Sequence, residues 1–118
     1  MSSEQITILT GYRCPQTMTA AEAATQLYKG WVPLLDKLFK QLFAAGWNGR
    51  VLQMKEKFGS LRFYIEPSED TFKFYDIIGL AEEESSCICI ECGEPGKPRS
   101  HHGWIRVVCD KHNTSTEE

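Results

Sequence analysis

Cysteine and histidine are concentrated in one segment of this 118-residue chain: four of the five cysteines and all three histidines lie between residues 87 and 112. Two pairs in this segment have the spacing of metal ligands, Cys-x2-Cys followed by glycine and, after sixteen intervening residues, Cys-x2-His. Two residues between paired ligands let both side chains reach one ion, and glycine relieves crowding where the backbone turns beneath it. The spacing predicts a single Zn²⁺ bound by Cys89, Cys92, Cys109 and His112.

The order of elements around these pairs is that of a treble-clef zinc finger: a Cys-x2-Cys turn, a hairpin with the strand-like sequence WIRVV, and a ligand pair at a helix start. Four protein ligands fill the tetrahedral shell of zinc, so we predict a structural ion. The alternatives are buried thiols with surface histidines, or an iron–sulfur cluster, which the histidine disfavours. The sequence leaves three roles open for Cys87: it replaces Cys89 as a ligand, it contacts the ligands from outside their shell, or it is a small hydrophobic residue. His101 and His102 form a polar turn or contact phosphate or a second metal.

With 42% hydrophobic and 25% charged residues, the composition is that of a soluble globular protein. We predict one domain over residues 1–118, with an α+β core at 1–86 and a zinc-finger subdomain at 87–118. The sequence has neither a signal-peptide pattern nor an apolar run that would span a bilayer, so we expect a cytoplasmic protein with no membrane partner. Thiols stay reduced in that compartment, which favours metal ligation over disulfides.

Alternating apolar residues predict a small antiparallel sheet. One strand lies within 5–12 and directs three side chains inward, those of Ile6, Ile8 and Tyr12. A hairpin follows at 52–65, with its turn at Gly59. Its second strand would bury Leu61, Phe63 and Ile65.

Three helices are predicted around this sheet. The first starts at a capping box on Thr19 and runs to Gly30, and the second spans about 31–46 with a broad apolar stripe. The third is opened by Pro67 and Ser68, has an acid-rich first turn, and buries Phe74, Ile77, Ile78 and Ala81. The predicted fold class is therefore α+β, with helices on a small sheet followed by the zinc finger.

Charge is segregated along the chain, although the net charge is only −3. Seven basic and two acidic residues lie between 29 and 62, whereas nine acidic residues and one base lie between 66 and 94. Such segregation either orients a partner or reflects solvated faces. The basic residues that we single out as a possible partner-binding surface are Lys55, Lys57, Arg62, Lys97, Arg99 and Arg106.

The hairpin sequence KEKFGSLRFY brings basic and aromatic residues together. Alternation puts Lys55 and Lys57 on one face of their strand, and Arg62 and Tyr64 opposite the core residues of the next. Two interpretations are open. Such a face binds RNA or single-stranded nucleic acid through base stacking and phosphate contacts, or Glu56 forms an ion pair with Arg62 across the hairpin. The three tryptophans, Trp31, Trp47 and Trp104, are predicted to be core anchors.

Three blocks carry a resemblance to a known family: GWVPLLDKL from Gly30, QMKEKFGSLRFYI from Gln53, and CIECGEPG with GWIRVVCDKH, which ends at His112. Together they resemble a family of small proteins from bacterial, phage and prophage genomes that lack an assigned activity. Ser60 replaces the family's second turn glycine, and Cys87 is a further departure. The resemblance implies a phage or prophage setting in a bacterial host and the same four zinc ligands.

Neither a catalytic triad, a paired-carboxylate motif nor a phosphate loop appears in the sequence, so we expect no enzyme. A His-metal-finger nuclease is the nearest enzymatic interpretation, but His112 is used for zinc and only Asn113 remains beside it. We predict a non-enzymatic zinc protein that binds and modulates a host protein, with the acidic stretch as its support. The alternative is a small nucleic-acid-binding regulator that uses the basic hairpin and zinc-finger surface.

Overall fold

The computed structural model describes residues 5–9, 16–101 and 103–112. It is a mixed α+β structure, which confirms the predicted class. The elements in chain order are β1 (Gln5–Ile8), β2 (Gln16–Thr19), α1 (Ala20–Thr25), a 3₁₀ turn (Lys29–Trp31), α2 (Val32–Ala44), β3 (Arg50–Lys57), β4 (Ser60–Ile65), α3 (Thr71–Ser85), β5 (Lys97–His101), β6 (Trp104–Val108) and a second 3₁₀ turn (Asp110–His112).

The main sheet has four strands in the order β2-β1-β3-β4, and β5 and β6 form a separate hairpin. The predicted β3–β4 hairpin is confirmed, but the sheet is mixed and not purely antiparallel, because β1 runs parallel to β3. Parallel neighbours cannot be joined by a tight turn, and here β2, α1 and α2 lie between β1 and β3 in the chain. Because β2 runs antiparallel to β1, it ends at the same end of the sheet at which β3 begins. Ile6 and Ile8 of β1 are buried as predicted, whereas Tyr12 lies outside the described residues.

The predicted capping box starts α1: the Thr19 N–H donates to Glu22 Oε1 at 2.8 Å, and the Glu22 N–H donates to Thr19 Oγ1 at 3.3 Å. The prediction that this helix runs to Gly30 is wrong, since it ends at Thr25 and a 3₁₀ turn leads into α2. Gly46 follows the end of α2 with φ of +100°, the left-handed conformation that glycine adopts without strain.

Helix α3 starts at Thr71, later than predicted, and the prediction of an acid-rich first turn is wrong. The Ser68 N–H donates to Thr71 Oγ1 at 2.8 Å, and that hydroxyl donates to the Ser68 carbonyl at 2.7 Å. This closed turn keeps Glu69 and Asp70 outside the helix. Phe74, Ile78 and Ala81 are buried on its inner side as predicted, and Ile77 is half-buried.

Side chains of α3 complete the outer edge of β4. The backbone N–H of Leu61 donates to Ser85 Oγ at 2.8 Å. The next two outward N–H groups, those of Phe63 and Ile65, donate to Glu82 Oε2 at 2.9 Å and to Tyr75 Oη at 3.0 Å. An edge strand with unpaired donors is a template for aggregation, and the helix removes that hazard with polar side chains.

One continuous core joins the sheet, the helices and the cysteine-rich segment. Its largest buried side chains include Trp31, Phe39 and Phe63, and it extends to Cys89, Ile90, Val107 and Val108. Trp31 and Trp47 are core residues as predicted, but the same prediction for Trp104 is wrong, because its side chain is 75% exposed. Trp104 begins β6 directly after Gly103, at the turn end of the β5–β6 hairpin, where it pairs with His101. None of the described helices is long and apolar enough to cross a membrane.

Candidate metal centre

A tight turn presents the first ligand pair. The Cys89 N–H donates to the Glu94 carbonyl at 2.7 Å, and the Gly93 N–H donates to the Cys89 carbonyl at 2.9 Å. Gly93 has φ of +83°, so the glycine predicted to relieve crowding occupies a left-handed position. This turn directs the sulfurs of Cys89 and Cys92 to the same side.

Two backbone hydrogen bonds fix the turn to the body of the protein. Ile90 donates to the Val107 carbonyl at 2.9 Å, and its own carbonyl accepts from the Gly30 N–H at 2.9 Å. A Cβ at Gly30 would overlap the Cys89 carbonyl oxygen, so only glycine permits this approach. This role of Gly30 was not predicted from the sequence. Its only signal was the glycine that opens the GWVPLLDKL block.

The second ligand pair follows β6. Cys109 lies immediately after Val108, and the chain then forms the 3₁₀ turn that ends at His112. The His112 N–H donates to the Cys109 carbonyl at 3.1 Å, which folds the imidazole back over the cysteine. The last strand and its turn therefore bring Cys109 and His112 to the first pair.

The four predicted ligands form one cluster in which all ligand atoms lie within 4.8 Å of one another. Cys92 Sγ lies 3.7 Å from Cys109 Sγ, and His112 Nδ1 lies 3.6 Å from Cys89 Sγ and 3.2 Å from Cys109 Sγ. A tetrahedron with zinc bond lengths has edges of roughly 3.8 Å between sulfurs and roughly 3.6 Å between sulfur and nitrogen. The donor set and its spacing therefore fit one four-coordinate metal ion. The sulfurs are too far apart for a disulfide, whose bond is about 2.05 Å.

The surroundings of the thiols favour thiolate formation at two of the three positions. Burial opposes ionisation of Cys89, but hydrogen bonds from the backbone of Cys109 and Glu91 outweigh it and lower the pKa to about 6. Burial likewise opposes ionisation of Cys109, and hydrogen bonding to His112 lowers its pKa overall. The Glu94 backbone lowers the pKa of Cys92, but burial and the two neighbouring sulfurs raise it overall. Packed thiolates repel one another, and a bound cation would remove that repulsion.

Two of the predicted partner-binding arginines make ion pairs beside the cluster. Arg99 Nη2 lies 2.6 Å from Asp110 Oδ1, and Arg106 Nη2 lies 2.9 Å from Glu91 Oε2. Asp110 and Glu91 belong to the two ligand-bearing turns, so each arginine holds one turn against the β5–β6 hairpin. Lys97 is exposed on the same hairpin.

The other residues considered as metal ligands or catalytic groups lie outside the ligand cluster or outside the described residues. Cys87 is exposed and is not among the clustered ligands. His102 and Asn113 are outside the described residues, as is the side chain of His101.

The other predicted partner residues, Lys55, Lys57 and Arg62, lie on the β3–β4 hairpin and are not part of the ligand cluster. Lys55 pairs in register with Arg62, whereas Glu56 pairs with Leu61. The predicted pair of Glu56 and Arg62 is therefore wrong, because strand alternation puts the two side chains on opposite faces. Glu56 Oε2 instead accepts a hydrogen bond from the Gly59 N–H at 3.2 Å.

Comparisons of the chain with protein-family models, with curated proteins and with solved structures found no match.

Proposed function

We propose that Cys89, Cys92, Cys109 and His112 bind one structural Zn²⁺ in a treble-clef-like finger. The observation that supports this is the cluster of three sulfurs and one imidazole nitrogen, all within 4.8 Å of one another, in which two separations of 3.6 and 3.7 Å are close to the edges of a zinc tetrahedron. Four protein ligands leave zinc no open position, so the ion would stabilise the fold and would not activate water. It would fasten the Cys89–Gly93 turn to the end of β6.

Metal analysis with a matched pair of cysteine variants tests the zinc site. We expect one equivalent of zinc per chain by native mass spectrometry. Cys92→Ser removes a ligand on the exposed side of the cluster and should abolish stoichiometric binding. Cys87→Ser, also an exposed cysteine but outside the cluster, should keep the full equivalent. A wild-type protein purified without metal loss that contains no zinc would refute the site.

We further propose that the protein has no enzymatic activity and acts by binding a host protein, as the resemblance to phage and prophage proteins suggests. The support is a stripe on α3 formed by Phe72, Asp76, Leu80 and Glu83. These positions share one side of a helix, and the side chains of Phe72 and Leu80 are 88% and 65% exposed. Exposed apolar residues among carboxylates suit a basic partner surface with apolar pockets.

Binding measurements on this stripe test the proposed partner class. A host protein captured from lysogenic cells would be purified and titrated with the zinc-loaded protein and its variants. The double substitution Phe72→Ser and Leu80→Ser should weaken binding at least tenfold, since buried apolar anchors dominate interface energetics. Trp104→Ser removes an equally exposed apolar side chain elsewhere and should leave binding unchanged. Equal affinities for both variants would show that α3 is not the binding surface.

A further inference from the structure

The outer face of the β3–β4 hairpin carries an ordered set of basic and aromatic side chains. Lys55 lies directly opposite Arg62, and Tyr64 lies opposite Gln53. These residues point away from the core, because Leu61, Phe63 and Ile65, which alternate with Arg62 and Tyr64, are buried. Lys57 continues the basic row toward the turn.

The positive charges on this face have no ion-pair partner among the described residues. Lys55, Lys57 and Arg62 make no ion pair in the described part of the chain, whereas Arg99 and Arg106 are both paired. Like charges directly opposite each other in a ladder are unfavourable. An anionic ligand lying along the hairpin would relieve this repulsion.

An aromatic groove lies at the end of the basic row that is farther from the hairpin turn. Leu52, Ile65 and Pro67 form its apolar part, and the rings of Tyr64 and Tyr75 also line it. The Tyr64 side chain is 40% exposed, so its ring is accessible at the groove surface. Lys55 and Gln53 line the same groove, which places a cation and an amide beside a stackable ring.

A second exposed ring occupies the hairpin turn under backbone strain. Phe58 has φ of +55° and Gly59 has φ of +83°, the combination of a two-residue turn that favours Asn-Gly. A bulky residue in the left-handed region is an outlier, and such strain is commonly retained where a site needs the side chain. The Phe58 side chain is 66% exposed, and Lys57 Nζ lies 5.6 Å from its ring centroid.

We infer that this face binds single-stranded nucleic acid. Lys55, Lys57 and Arg62 would contact phosphates, while bases stack on Tyr64 and Phe58. The two ring positions are separated by roughly 14 Å of strand, and the cations lie between them. This spacing lets the flexible backbone of a single strand run along the cations while its bases reach the two rings. A single strand is favoured over a duplex because only unpaired bases offer their faces to aromatic rings. The face shares no residue with the metal cluster or with the α3 stripe.

Fluorescence anisotropy with labelled oligothymidylate and oligouridylate of about 20 nucleotides, longer than typical site sizes, tests the inference. Zinc-loaded protein should bind one or both single strands at least tenfold more tightly than a duplex of the same length, and the two probes distinguish DNA from RNA. Lys57→Ala should weaken binding and reduce the salt-dependence slope by about 0.7, the value for one lost phosphate contact. Lys73→Ala removes the same charge from α3 and should change neither quantity.

Substitutions at the two rings separate stacking from folding. Tyr64→Ala should weaken binding on the order of tenfold, and Tyr64→Phe should retain it, because the ring and not the hydroxyl stacks. Phe58→Asn should weaken binding and at the same time raise the melting temperature, since asparagine suits the left-handed position. A folding defect would lower both quantities together, so this variant isolates the binding role.

Several results would overturn the inference. The first is that zinc-loaded wild-type protein binds neither single strand at low salt. The second is that it binds the duplex as tightly as the single strands. The third is that Lys57→Ala and Lys73→Ala lose the same amount of binding affinity. A purified host protein whose binding is lost in Tyr64→Ala would assign the face to a protein partner instead. Zinc content measured in each sample keeps these outcomes separate from failure of the metal site.

Discussion

At the scale of single residues, Gly30 connects the metal cluster to the rest of the protein. Its N–H donates to the Ile90 carbonyl, and its missing side chain leaves room for the Cys89 carbonyl. A methyl group at this position would push the ligand-bearing turn outward. The position of Cys89 therefore depends on a residue far away in sequence that is not itself a ligand.

We predict that Gly30→Ala lowers the free energy of unfolding by about 3 kcal/mol, since the new methyl overlaps backbone that cannot move without breaking a hydrogen bond. It should also weaken zinc binding. Gly79→Ala is the matched control, because a Cβ there meets no described atom within 4 Å and alanine favours a helix interior by about 1 kcal/mol. Urea unfolding of both variants checks the pair, and a Gly30→Ala protein of wild-type stability would contradict the assigned contact.

Of the two glycines beside the ligand cluster, the role of one was predicted from the sequence and the role of the other was not. Gly93 was predicted because its neighbour Cys92 makes the need for a turn visible in the sequence. The role of Gly30 was not predicted, because it depends on a backbone approach between segments that only the folded chain brings together. The two ligand pairs followed from local spacing, whereas their meeting was predicted from the order of turn, hairpin and second ligand pair along the chain.

At the scale of elements, the packing of α3 on β4 depends on polar side chains as well as on its apolar face. Ser85 is fully buried, accepts from the Leu61 N–H at 2.8 Å and donates to the Glu82 carbonyl at 2.6 Å. A buried N–H without a partner costs about 1–3 kcal/mol, which is comparable to the burial of a large apolar side chain. The edge of the sheet is therefore a sensitive site.

We predict that Ser85→Ala destabilises the protein by about 1–2 kcal/mol, because the Leu61 N–H is left unpaired away from water. Ser86→Ala is the neighbouring control: its hydroxyl donates to the Glu83 carbonyl at the half-buried helix end, and its loss should cost less than about 0.5 kcal/mol. Chemical denaturation midpoints measure both. Equal midpoints for the two variants would show that water replaces Ser85 at the edge of β4.

Helix and hairpin positions were largely predictable, since the apolar periodicity of α2 and the alternation in β4 are local patterns. The start of α3 was misplaced because Pro67 and Ser68 are typical of a helix start, while the hydrogen bonds between Ser68 and Thr71 close a separate turn. The parallel pairing of β1 with β3 could not be predicted from either strand. It depends on how the intervening helices return the chain, which is a property of the tertiary structure.

At the scale of the whole molecule, the ligand-bearing segment shares the main hydrophobic core, with Cys89 buried in it and Cys109 packed against it. Cys89 and Ile90 are buried in the same core as Trp31, and a Cβ at Gly59 in the β3–β4 turn would lie only 3.1 Å from the Val107 side chain. Elements that share one core unfold together in most small domains. The order of the cysteine-rich segment and the stability of the sheet should therefore be coupled.

We predict that zinc-loaded protein unfolds in one cooperative transition and that chelation of zinc lowers its melting temperature on the order of 10 °C or more. A ligand at a thousand times its Kd stabilises the folded state by about 4 kcal/mol, which corresponds to a shift of this size in a domain of about 100 residues. Circular dichroism and tryptophan fluorescence should report the same midpoint in the loaded protein. Separate midpoints would indicate two independently folding units.

The exposed Trp104 allows this prediction to be followed at the contact between the metal cluster and the core. Trp104→Phe leaves only the two buried indoles, Trp31 and Trp47, and Trp31 directly follows the glycine that supports the ligand turn. Loss of zinc should loosen that turn and expose Trp31 to water, so chelation should shift the emission of this variant to longer wavelength before global unfolding. Returning one equivalent of zinc should restore the spectrum. An unchanged emission maximum and melting temperature after verified removal of the metal would contradict the coupling, because the core would then hold the turn without the ion.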